Sequence, residues 1–174
     1  VMAFFDSPLG QEILSLEIAA RVSMRDADVE AAARAAYDGL RGTGDSRLVL
    51  VNRFVEVNDL VERNVAGAMS ASYQFLRGLT DGGATGLDDA AILAEVWSEE
   101  PATRDETESW LFAYLLMAYR PLTDEDLTAY IAFSESPAGQ ALNAALFAGF
   151  DVLYRAISHE LGLGLAGALA TSDI

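Results

Sequence analysis

Apolar side chains along this chain recur at three- and four-residue steps, the period that brings one face of an α-helix round, and no window alternates as a strand would. The longest run is Leu48, Val51, Phe54, Val55, Val61, Val65, Met69, Tyr73 and Leu76. It predicts a single helix capped by Asp45 or Ser46 and continuing to about Leu79. Upstream, Asp26 or Asp28 opens a helix through Ala31, Ala35 and Tyr37 that should end in Arg41-Gly42-Thr43-Gly44. Downstream, Gly82, Gly83 and Gly86 break the pattern, and Asp88 or Asp89 caps a helix carrying Ile92, Leu93, Val96 and Trp97. Pro101 marks a kink or restart before Trp110, Leu111, Tyr114, Leu115 and Ala118. The last helix is expected from Pro137 through Leu142, Leu146, Phe150, Leu153 and Ile157 to about Leu161. The fold class is therefore all-α, a helical bundle.

The chain also echoes itself. Residues 3–11 read AFFDSPLGQ and residues 132–140 read AFSESPAGQ, so Ala, Phe, Ser, Pro, Gly and Gln recur at a constant offset. Each copy has a mechanism. Ser7 or Ser136 caps a helix, and Pro8 or Pro137 occupies its first position, where no N–H is required. The residue before a proline is pushed out of the α region, so the preceding helix should stop near Asp6 or Glu135. Gly10 and Gly139 leave room for a neighbouring backbone. The bundle is thus expected to be built from two related helix–Ser-Pro corner–helix repeats, about 1–25 and 122–160, within a single domain of residues 1–174. In the second copy Thr123, with Asp126 three residues on, opens the helix before the corner. In the first copy Val1 aligns with Tyr130 in mid-helix, which predicts a truncated N-terminus whose helix begins upstream.

Composition narrows function chiefly by exclusion. The 174 residues carry 27 acidic and 11 basic side chains, a formal charge of -16, which opposes phosphate-backbone and anionic-membrane binding. No nucleic-acid partner is expected. All the basic residues are Arg, so lysine chemistry is absent; with no cysteine, thiolate catalysis and thiolate metal sites are absent too. No segment is apolar for long enough to span a bilayer. Half of the net charge sits between Asp81 and Glu108, where nine carboxylates face one Arg. That stretch reads as a solvated helix face with capping acids, because Asp81, Asp88 and Asp89 do not follow calcium-loop spacing.

Two groups of residues remain as sites. Glu56, Asp59, Glu62 and Arg63 lie at helix-face spacing and form a polar cluster, either an exposed ion-pair ladder or the lining of a pocket. The aromatics Phe4, Phe133, Trp97, Trp110 and Tyr130 bracket the corners, either as core or as a ligand- or partner-binding surface between the two Ser-Pro turns. The single histidine, His159, has no partners at catalytic or zinc spacing and is expected near a helix C-terminus, where a cation is favoured. No metal ligand set and no cofactor motif is read. The glycine-rich tail from Leu161 to Ala170 is expected as a frayed terminus or a subunit contact.

The segments Leu122-Thr123-Asp124-Glu125-Asp126-Leu127, Tyr130-Ile131-Ala132-Phe133 and Ser136-Pro137-Ala138-Gly139-Gln140, with the echo at Ala3 to Gln11, resemble the bacterial domain-of-unknown-function 2059 family. The resemblance is close around each corner and loose between them. It implies a helical protein with an export signal, hence a periplasmic or secreted setting, and it carries no catalytic residues. Together these readings describe a non-catalytic, exported, all-α protein that binds a protein partner or an apolar small ligand, with homo-oligomerisation left open. The alternatives are a carboxylate-based hydrolase, with or without a metal, using Glu56, Asp59 or Glu62, and a structural subunit of an envelope assembly.

Overall fold

The first turn of a helix leaves N–H groups without partners, and short polar side chains placed just ahead of it can accept them. That rule sets most of the helix starts. In this computed structural model, which describes residues 1–172, a short α1 (Met2–Phe5) precedes Ser7, whose hydroxyl accepts from Gly10 N and opens α2 (Pro8–Ser23). Asp26 accepts from Asp28 N and Val29 N and opens α3 (Ala27–Leu40). Gly42 and Gly44, both at φ 74°, turn the chain after it, and Asp45 then opens α4 (Ser46–Val57) by accepting from Leu48 N. Next comes α5 (Leu60–Asp81), ended by Gly83 at φ 80°. Asp88 opens α6 (Asp89–Ser98), and α7 (Glu100–Tyr119) carries Pro101 in its first turn. Thr123 opens α8 (Asp124–Glu135), accepting from Asp126 N while its own hydroxyl donates to the Asp126 carboxylate at 2.7 Å. Last is α9 (Pro137–Ser172). Among the described residues there is no strand, and the fold is all-α.

Two expectations are corrected. The single helix from Asp45 to Leu79 is two helices, because the backbone turns at Asn58-Asp59, where Asp59 takes φ 53°. Asp tolerates that left-handed conformation better than most side chains do. Asn58 is buried at the break, and its own amide donates to Phe54 O at 2.9 Å. Two carbonyls freed there find side chains on α9. Gln140 donates to Val57 O at 3.0 Å and Asn143 donates to Asn58 O at 2.7 Å. The second correction is at the other end, where α9 continues past Leu161 through the glycine-rich tail to Ser172, so His159 sits in mid-helix.

The two Ser-Pro corners are built alike. Ser7 donates to Phe4 O at 2.6 Å and Ser136 to Phe133 O at 2.5 Å, while Gly10 N and Gly139 N each donate back to the serine at 3.1 Å. Gln11 and Gln140 each reach back to a carbonyl at the end of the preceding helix, Phe5 O and Ser134 O. A methyl group on Gly10 would overlap Phe4 O, and one on Gly139 would overlap Phe133 O. Glycine is required at both corners because the incoming helix end lies directly on the outgoing first turn.

The chain forms two compact units, Val1–Val61 with Glu106–Ala144 and Glu62–Asp105 with Ala145–Ile174. The first is centred on Ile13, Val51, Tyr119 and Leu127, all essentially inaccessible to solvent. Within it α4 and α8 run against each other, edged by Arg47–Asp124 at 2.9 Å and Arg53–Glu135 at 2.5 Å. The second buries Val65, Ile92, Val96 and Ala166. There α5 and α9 cross at their glycines: a methyl on Gly78 would strike His159 O, one on Gly162 would strike Phe75 O, and one on Gly82 would strike the Ala166 methyl. The small residues Gly162 and Ala166 of the tail thus serve packing inside this unit.

These clashes separate glycines that are required from one that is not. Gly139→Ala should lower stability by about 2–3 kcal/mol, since backbone cannot yield to an added methyl as a side chain can. Gly149→Ala, at a helical position with open space around it, should instead stabilise by about 0.5–1 kcal/mol. Urea denaturation of both variants checks the pair; equal effects would contradict the packing described.

Candidate functional site

Three tyrosines in the first unit converge on one residue of α2. Tyr119 Oη donates to Glu17 Oε1 at 2.7 Å, Tyr130 Oη to the same oxygen at 3.3 Å, and Tyr114 Oη to the Glu17 backbone carbonyl at 3.1 Å. Glu17 is half-buried as a residue, and its carboxyl end is the part that enters the interior. Burial raises its pKa above the ordinary 4.5, against the pull of the two phenol hydrogen bonds and of Arg21. Tyr119 and Tyr130 are likewise raised, by burial first and by the neighbouring Glu17 charge second. Arg21, one turn on from Glu17, lies over the rings of Trp110 and Tyr114 at 5.1 and 5.0 Å, where a cation meets the electron-rich faces. Chemically this is an internal fastening of α2 to α7 and α8, built on a carboxyl that holds its proton above the ordinary glutamate range.

The corner aromatics pack against the same core. Phe4 and Phe133, which occupy equivalent positions in the two corner segments, stack at 4.2 Å with 10° between their planes, and Phe5 meets Phe133 edge-on at 5.5 Å. Tyr130 is buried beside Phe54 and Phe4. Rings therefore fill the space between the corners in which a groove was expected. Trp110 is half-buried and stacks on Tyr114 at 5.1 Å.

Trp97 differs from these. In α6 the buried line is Ile92 and Val96, so Leu93 and Trp97, one position further round, face outward, and Trp97 is 63% exposed. Together with Val65, Ala66, Met69 and Tyr73 of α5 they line an open groove of about 480 Å³ inside the second unit. One end is closed by charge. Arg104 forks onto Glu62 at 2.5 and 2.9 Å and also donates to Glu100 at 2.8 Å. The guanidinium hydrogen bond holds Glu62 below the usual carboxylate range. Arg155 of α9 adds a second cation to the lining, so Glu62 and Glu100 are balanced by Arg104 and Arg155 and the groove is electrically neutral in a chain of charge -16.

The polar residues singled out from the sequence take separate partners. Glu56 accepts from Asn52 Nδ2 at 2.5 Å, whereas Glu62 is held by Arg104. Asp59 is the residue of positive φ at the helix break, and Arg63 lies over the Phe147 ring at 5.6 Å. Asp81 is bound by Arg77 at 3.1 Å and by His159 at 3.0 Å, and the His159 bond chiefly lowers its pKa. Among the described residues no three acidic or histidine side chains are grouped to hold a metal ion. The Glu17 cluster was not anticipated from the sequence. A usable signal existed: buried tyrosines need acceptors for their hydroxyls, and Tyr114, Tyr119 and Tyr130 lie in strongly apolar helical segments.

Compared with known protein families, with characterised proteins and with solved structures, the chain finds no match.

Glu17 gives a pH-dependent test. Its folded pKa is raised, so its contribution to stability is fully present below about 4.5 and is lost as pH rises through the folded value. Glu17→Gln removes that loss. Urea unfolding should therefore show the variant gaining on the wild type between pH 4.5 and pH 7, and a difference that stays constant across this range would contradict the burial of the carboxyl.

Proposed function

We propose that this chain is a non-catalytic binding protein whose second unit takes an apolar small ligand in the groove walled by α5 and α6. The observation that carries the proposal is Trp97. A large aromatic side chain left 63% exposed, beside an outward-facing Leu93, is costly unless something covers it, and this one borders a neutral, largely apolar hollow. The groove's polar end is already hydrogen-bonded through Glu62, Arg104 and Glu100, so a ligand need supply no strong charge there. Acid–base work by the same carboxylates is disfavoured: Glu62 is held anionic by Arg104, which leaves it a poor proton donor at neutral pH. Membership of the domain-of-unknown-function 2059 family and an exported setting belong to this proposal and rest on the corner motifs quoted above.

The neutral fluorophore N-phenyl-1-naphthylamine tests it. Its emission should rise on titration with the protein. Trp97→Ala should weaken binding at least about tenfold, the effect expected for an aromatic anchor worth 1.4 kcal/mol or more, roughly. Ala66→Trp, on an exposed position of the lining, should fill the groove and abolish the signal. Failure of the probe to bind, or equal binding by wild type and both variants, would sink the proposal.

A further inference from the structure

The part of α9 beyond Ala145 has two unlike sides. One is occupied within the second unit: Arg155 lines the groove, His159 binds Asp81, and Gly162 and Ala166 meet Gly78 and Gly82 of α5. At 3.6 residues per turn the opposite side carries Leu146, Phe150, Leu153, Ile157, Leu161 and Leu165, which together cover about a third of the helix circumference. Each is between 43% and 61% exposed. Gly149 and Gly164, with open space where a side chain would stand, leave hollows between these projections. The stripe recurs at an 11-residue step, Leu146 to Ile157, Phe150 to Leu161 and Tyr154 to Leu165, so it stays on one face instead of winding round the helix.

Its size and charge point to what covers it. The exposed side chains of the stripe offer on the order of 700 Å² of apolar surface, more than the largest patch a monomer ordinarily shows and close to one partner's share of a standard specific interface. Between Ala145 and Ser172 the only carboxylates and basic groups are Asp151, Arg155, His159 and Glu160. In a chain of charge -16, the stripe itself carries no acid and only Glu160 borders it, so a second copy can approach here with fewer acids brought together than elsewhere. An anionic lipid surface finds no basic flank here, since the one Arg lies on the groove side of the helix and pairs with Asp151 at 3.6 Å. We propose that two copies of this chain associate through the exposed stripe of α9 in an isologous, two-fold contact. The inference is independent of the groove reading, because the groove lies on the opposite side of the same helix.

Sedimentation equilibrium of the full chain tests it. The wild type should pass from monomer to dimer with a midpoint at or below about 10 µM. Phe150→Glu combined with Leu161→Glu should raise that midpoint at least about a hundredfold while circular dichroism keeps its helical signal, since both side chains are half-exposed and outside the core. Val152→Glu, 71% exposed on the same helix but off the stripe, should leave the midpoint unchanged. A wild type that stays monomeric throughout, including one that instead binds phosphatidylcholine vesicles through the stripe, would overturn the inference. So would a dimer that survives the double substitution.

Discussion

The side-chain amide of Gln140 is the constraint on which the first unit turns. It stands in the corner between α8 and α9 and donates to two carbonyls at once, Ser134 O at 2.7 Å and Val57 O at 3.0 Å. The first bond closes the corner; the second closes the end of α4. Asn143, one turn along α9, adds the bond to Asn58 O. A helix that stops leaves its last carbonyls without intrahelical partners, and a side-chain donor that takes one up contributes about 0.5–1.5 kcal/mol. With these two side chains in place, α4 can end at Val57 and Asp59 can take its left-handed turn. The equivalent glutamine of the first corner, Gln11, donates its side-chain amide to Phe5 O, the corner bond, and among the described residues its amide reaches no second carbonyl. The two corners share a local design, and the second has an added duty that ties it to a distant helix.

How far the sequence discloses this structure depends on the range of the interaction. Local rules were legible. Ser7, Asp26, Asp45, Asp88 and Thr123 cap the helices whose starts their positions announce, and the glycines at 42, 44 and 83 turn the chain where the apolar pattern stops. Tertiary choices were hidden. Phe54, Val55, Val61 and Val65 keep helical spacing straight through the break at Asn58-Asp59, so periodicity alone runs α4 into α5. Only the donors on α9, about 80 residues away, show why the helix stops. The tail is hidden for a related reason: its glycines weaken helix propensity, and the crossing of Gly162 and Ala166 with Gly78 and Gly82 that holds the helix together is not visible in the sequence. Trp97 shares its residue class with the packed aromatics, and its place one position past the Ile92–Val96 line is what turns it outward.

Charge organises the surface that these elements leave. The acids between Asp81 and Glu108 are partly consumed locally, Asp89 and Asp81 by Arg77, Glu100 by Arg104 and Glu106 by Arg34 at 2.5 Å. Such exposed pairs add little to stability, but they fix where charge is displayed and where it is not. Two regions of the second unit escape the general negative field: the groove beside Trp97, neutral by internal pairing, and the outer stripe of α9, nearly free of charge. Both expose apolar surface that a chain of charge -16 has ample means to cover with acids. Their persistence as apolar surface is the physical basis for reading this molecule as one that binds.

The claim that side chains of α9 hold the end of α4 is tested most directly by amide hydrogen exchange on a Gln140→Leu, Asn143→Leu variant, in which both residues keep helix propensity and lose the amide. Peptides covering residues 54–61 should lose protection about tenfold, from the loss of two side-chain hydrogen bonds worth about 0.5–1.5 kcal/mol each, while those covering α3 keep theirs. Unchanged protection through residues 54–61 would contradict the claim.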